Sequence, residues 1–140
     1  MLEIVGRRRS TPSITRKCWL MVAQNDPWPF HADPEAATRS PFGGLIASGG
    51  YTITLMYRMS HEIVNQPDRV WAFWGALTGS SSSSSPFVPV LHERITILEK
   101  RLSSKPGRGI VKDLIEVIND RKRVVLSIES TTLMATASSQ

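Results

Sequence analysis

An acid stands five residues before a histidine in Gln24-Asn25-Asp26-Pro27-Trp28-Pro29-Phe30-His31-Ala32-Asp33. The stretch is too rich in proline for a helix. An acid and a histidine are the minimal equipment for moving a proton onto or off water. Farther on, Gly43-Gly44-Leu45-Ile46-Ala47-Ser48-Gly49-Gly50 leads into a long apolar run. A glycine pair at the start of a buried helix can offer backbone N–H groups to a developing oxyanion. Together the two segments point to chemistry beside a carbonyl.

The elements that must position these residues follow from the flanking pattern. Residues 1 to 13 read as irregular. Thr15 is a plausible N-cap for a helix carrying Trp19, Leu20, Val22 and Ala23. Asp26-Pro27 ends it, because the residue before a proline is pushed out of the α region. Residues 26 to 33 read as a loop. Asp33-Pro34 starts a short helix through Glu35-Ala36-Ala37, with Asp33 as its N-cap. Ser40 to Gly44 is a turn. Residues 50 to 64 carry almost no charge, and their length predicts a buried helix. After Pro67 the chain turns β-like, with strands expected at Val70 to Trp74, Glu93 to Lys100, Gly109 to Ile118 and Arg123 to Met134. Asn119-Asp120-Arg121 is a turn, and Ser103 to Gly109 a Pro/Gly loop. Helices followed by antiparallel strands make an α+β domain with a helix on one sheet face.

At 140 residues the chain is one domain, 1–140, large enough for a core. Its 41% hydrophobic content suits a globular protein. No apolar run is long enough for a transmembrane helix, and Arg7-Arg8-Arg9 is followed by no signal-like segment. A cytoplasmic setting is expected, and the single Cys18 fits it. His31, His61 and His92 with one cysteine give no zinc spacing, so no metal is expected. The formal net charge of +5 is scattered, and no aromatic residues interleave the basic clusters. That argues against nucleic acid. It leaves a solvated basic surface, or a phosphorylated carrier such as coenzyme A or a phosphopantetheine protein. Ser80 to Ser85 reads either as a mobile surface loop or as a tract whose letters do not report the natural side chains.

The segment Asn25-Asp26-Pro27-Trp28-Pro29-Phe30-His31, then Ala37, then Leu45-Ile46-Ala47-Ser48-Gly49, resembles the MaoC-like dehydratase family of the hotdog fold. That family includes the (R)-specific enoyl-CoA hydratases. Pro89-Val90 and Ile95 to Arg101 look like its later strands. The resemblance covers most of the chain, loosely outside residues 24 to 52. It implies a long antiparallel sheet wrapped around one central helix, here 50 to 64. It implies a homodimer or higher homo-oligomer formed by joining sheets, with an acyl tunnel near the interface. It also implies that Asp26 and His31 are the catalytic pair and that the Gly49 N–H meets a thioester oxygen. Three departures stand out. Trp28 replaces the usual Asn or Gln, Leu91-His92-Glu93 replaces a Pro-Gly-Asp turn, and the serine run falls where a strand belongs.

The reaction so implied is reversible addition of water across a trans-2-enoyl thioester of CoA or an acyl carrier, giving a 3-hydroxyacyl thioester. It needs no metal or redox cofactor. Taken singly, Asp26 is an ordinary residue before proline and His31 an ordinary surface histidine; it is their joint placement beside Gly49 that favours catalysis. Trp28 and Phe30 are expected to contact the acyl group. Ser48 either lines the site or merely packs at the helix start. His61 and His92 have no expected catalytic role. Trp19, Trp71 and Trp74 read as core or interface residues, and Cys18 as a buried small side chain. Two other functions compete: a hotdog thioesterase, and a non-catalytic acyl-binding subunit that completes a partner's site. Fold alone would not choose between them.

Overall fold

Period-two alternation is clearest in Arg108–Asn119, where Asp113, Ile115, Val117 and Asn119 turn inward and the residues between them outward. That pattern makes a strand with one buried face. The computed structural model describes residues 2–9, 20–64, 70–79 and 90–136, with 2–9 and 70–79 as backbone strands alone. Cys18, Trp19, the Thr15 helix start and the serine run lie outside the described residues, as do the side chains of Trp71 and Trp74.

Among the described residues five strands form one antiparallel sheet in the order β1-β3-β4-β5-β2. They are β1 (Leu2–Arg9), β2 (Val70–Gly79), β3 (Val90–Leu102), β4 (Arg108–Asn119) and β5 (Val124–Ala135). β1 corrects the expectation of an irregular N-terminus. Its partner is far away in sequence, with Leu2 opposite Ile97 and Ile4 opposite Ile95, and Arg7-Arg8-Arg9 hides the strand pattern. β2 runs five residues past the expected Trp74, with register shifts between Val70 and Ala72 and between Ala76 and Gly79. Leu91-His92-Glu93 makes no turn; it lies inside β3, paired with Asn119, Ile118 and Val117.

The β4–β5 turn is held by Asn119. Its Oδ1 accepts from the amides of Arg121 and Arg123, both at 3.0 Å. Lys122 completes the turn in the left-handed region at φ 58°, a conformation more usual for glycine.

The helices among the described residues precede most of the sheet: α1 (20–25), α2 (Pro29–Ala32), α3 (Pro34–Arg39) and α4 (Gly49–Val64). The expected loop at 26–33 contains α2, a single turn that proline at its first position favours. Asp33 caps α3 as expected, accepting from Glu35 N at 2.9 Å and Ala36 N at 3.1 Å.

α4 lays Met56 and Met59, flanked by Ile53 and Ile63, on the inner face of the sheet. There they meet Ile95, Ile115, Val117, Val125, Leu126 and Ile128. The helix is not buried all round, as its sparse charge suggested. Tyr57, Arg58, His61 and Glu62 face outward, and Arg58 pairs with Glu62 at 3.8 Å.

Met56 is fully buried between helix and sheet. Met56→Ala is expected to cost about 2–5 kcal/mol in urea unfolding, through lost burial plus a cavity. Leu102→Ala, at a side chain 76% exposed, is expected to change stability by no more than about 0.5 kcal/mol.

Candidate active site

Three elements bring the acid, the histidine and the glycine together. Asp26 ends α1, its amide donating to Val22 O at 2.9 Å. His31 lies in α2, its amide donating to Trp28 O at 2.8 Å. Ser48 and Gly49 stand at the start of α4, where a helix leaves its first amides without intrahelical partners.

Ser48 is fully buried, and its hydroxyl donates to Asp26 Oδ2 at 2.6 Å. The same carboxylate oxygen lies 3.5 Å from His31 Nε2. His31 is 9% exposed and Asp26 29%, so the histidine is the inner member of the pair. Its other nitrogen, Nδ1, sits 2.9 Å from Ile46 O. A carbonyl only accepts, so Nδ1 carries the hydrogen, and a neutral ring presents a bare lone pair at Nε2. Ile46 also donates its amide to Phe30 O at 3.1 Å. One residue of the 43–48 segment thus grips α2 by main-chain atoms on both sides.

At Gly49 the surface is open: a methyl group built there would meet no atom within 4 Å. Gly50 is tighter, since a methyl there would approach Met21 Cε to 3.2 Å. Gly49 therefore leaves its end of α4 accessible to a ligand, and Gly50 permits packing against α1.

One aromatic ring meets the imidazole, and two more pack on that ring. Phe30 meets His31 edge-on, with centroids 4.6 Å apart, and meets Phe42 similarly at 5.4 Å. Trp28 lies parallel to Phe30 at 6.0 Å and is 60% exposed. The expected residues Asp26, Trp28, Phe30, His31, Ser48 and Gly49 thus occupy one region. His61 is exposed near the far end of α4 and His92 lies in β3, both apart from it. Two participants were not read from the sequence: the Ile46 carbonyl, which any residue type supplies, and Phe42, which nothing in its local pattern marks. Among the described residues no cluster of three or more His, Cys, Asp or Glu could hold a metal. No helix there is long and apolar enough to cross a membrane.

An antiparallel sheet with one long helix on its inner face is a hotdog domain. The chain is similar to the MaoC-like dehydratase from Rhodospirillum rubrum, at 25% identity and a TM-score of 0.78, covering 97% of this chain and 92% of that one. It is similar to the monoamine oxidase regulatory protein from Archaeoglobus fulgius, at 23% identity and a TM-score of 0.78, covering 97% and 90%. The fold also matches R-hydratase PhaJ1 from Pseudomonas aeruginosa, at 17% identity and a TM-score of 0.63, covering 98% and 81%. No family sequence model matches the chain, and no curated protein does.

Ser48→Ala removes the donor that ties the start of α4 to Asp26. A hydrogen bond to a charged group is worth about 1.5–3 kcal/mol. The variant is expected to lose stability of that order in denaturant unfolding. An unchanged midpoint would show that the Asp26–Ser48 bond does not hold the two elements together.

Proposed function

We propose that the chain is a hydratase/dehydratase that adds water to, or removes it from, a trans-2-enoyl/3-hydroxyacyl thioester carried on CoA or an acyl carrier. The observation carrying this reading is the acceptor pair. His31 Nε2 and Asp26 Oδ2 lie 3.5 Å apart beside the first turn of α4. Neither has a hydrogen to give the other when the ring is neutral and the acid ionised. Such a pair suits one shared water, whose two hydrogens point at the two acceptors and whose oxygen lone pair remains free.

In the hydration direction that oxygen bonds to C3 as the C2=C3 electron pair moves toward the thioester carbonyl. One water proton passes to the Asp26/His31 pair. The charge on the thioester oxygen is met by the Gly49 N–H, supported by the positive end of α4. The enolate then collapses, C2 takes a proton back from the pair, and the net change is one water added. Trp28 and Phe30 contact the acyl group in this reading, and Ser48 fixes Asp26. A hydratase and a dehydratase among the similar folds, PhaJ1 and the Rhodospirillum rubrum protein, support the same reaction class. A HadBC 3R-hydroxyacyl-ACP dehydratase complex from Mycobacterium tuberculosis has a related fold, and self-association of this chain into a dimer belongs to the same proposal.

The test is crotonyl-CoA hydration, read as loss of enoyl absorbance. Asp26→Asn and His31→Ala are each expected to lower kcat by about 10²–10⁴, with folding intact. Gly49→Pro deletes one N–H at a position where helices accept proline; a fall of about 10²–10³ is expected for a lost oxyanion donor. A wild type inert toward short and long enoyl thioesters would refute the reading. Release of free thiol from saturated acyl-CoA would then identify a thioesterase, and its absence an acyl-binding subunit.

A further inference from the structure

Two carboxylic acids sit inside the core beneath α4, and the proposed chemistry uses neither. Glu93 of β3 is fully buried. One of its oxygens accepts from the Ser60 hydroxyl of α4. The other, Oε2, has no hydrogen-bond partner among the described residues. Asp113 of β4, also buried, accepts from Ser130, its cross-strand neighbour on β5.

Among the described residues no cation pairs with Glu93. Directly opposite it on β4 stands Val117. On β1 the opposite residue is Gly6, which has no side chain, with Arg7 and Arg8 following it along the strand. Arg94, next to Glu93 on β3, is committed to Glu116 at 2.8 Å, and His92 is the residue before. On α4, Arg58, His61 and Glu62 lie on the exposed side. Glu129 of β5 is exposed as well. The charged group nearest in effect is Asp113, which repels.

A half-satisfied buried carboxylate is costly when ionised and far less so when protonated. Burial pushes the Glu93 carboxyl from its ordinary 4.5 up to about 7, the Ser60 hydroxyl opposes this, and the charge of Asp113 adds to it. Burial raises Asp113 too, against the Ser130 hydroxyl.

We propose that Glu93 is a proton-operated clamp between the central helix and the sheet. Protonated, it stays buried beneath Ser60 at little cost, and the C-terminal half of α4 lies down on the sheet. Ionised, it seeks water and loosens that half. Ser60 is eleven residues along α4 from Gly49, about 16 Å at 1.5 Å per residue, so the clamp grips the same rod that presents the proposed oxyanion donor. The folded state favours the protonated acid. Its contribution to holding the helix is therefore complete below about 4.5 and is lost as pH rises through about 7.

Amide hydrogen exchange on the full chain at pH 5 and pH 8, corrected for intrinsic rates, tests this without reference to any substrate. Protection of amides 57–64 in the wild type is expected to fall about tenfold or more between the two pH values. Glu93→Gln cannot ionise and is expected to show no such fall. Ser60→Ala removes the hydroxyl that favours the ionised form, so its transition is expected at higher pH. Equal wild-type protection at both pH values would overturn the clamp. So would an unaltered pH dependence in Glu93→Gln, which would assign the effect to His61 or another group. If Glu93→Gln does not fold, Ser60→Ala decides: a transition that stays where the wild type has it overturns the proposal.

Discussion

Everything at the candidate site depends on where α4 points, and that is fixed by burial of its methionine stripe against β3, β4 and β5. Met56, Met59 and the flanking Ile53 and Ile63 reach the sheet together because they recur at three- and four-residue spacing. Fully burying a side chain of this size is worth about 1.5–3 kcal/mol. Few polar bonds in the chain match that, so the stripe dominates the placement of the helix. Once the helix is laid down, its first turn and the residue before it have fixed positions. Ser48 then meets Asp26, and the surface at the neighbouring Gly49 is open.

The acid–histidine segment is held by other means. α2 and α3 pack chiefly on each other, and their link to the rest runs through short polar contacts. Asp33 caps α3, Ile46 brackets Phe30 and His31, and Ser48 donates to Asp26. Apolar burial thus sets the frame, and hydrogen bonds set the angles within it. The imidazole needs both, because its tautomer is fixed by a carbonyl while its distance to the acid is fixed by the meeting of two helices.

Much of this was legible in the residues themselves. The Asp26–His31 spacing, the Asp33 cap, the 50–64 helix and the β4–β5 turn all follow from side-chain types acting over a few residues. What was not legible acts over longer separations. β1 is a strand only because β3 lies beside it, and its arginines mask the alternation. β2 continues through Gly75 to Gly79 because β5 pairs with it. The Ser48 hydroxyl looked like packing because its partner is twenty-two residues away. Glu93 read as one letter of a replaced turn, yet it is a buried acid, since period two in β3 sends it inward with Ile95.

The way His31 is anchored has an evolutionary consequence. Both groups that grip it and its neighbour from residue 46 are peptide atoms, which every amino acid except proline supplies in full. Substitutions at 45–47 can therefore accumulate without turning the imidazole, provided the path of the chain is kept. In the proposed reading, the side chains under direct chemical constraint shrink to a handful: Asp26, His31, Ser48 and the glycines that follow it. A lineage built this way can drift until pairwise identity is a poor guide to kinship, while its backbone stays superimposable. The backbone here superimposes on the Rhodospirillum rubrum protein with a TM-score of 0.78 at 25% identity.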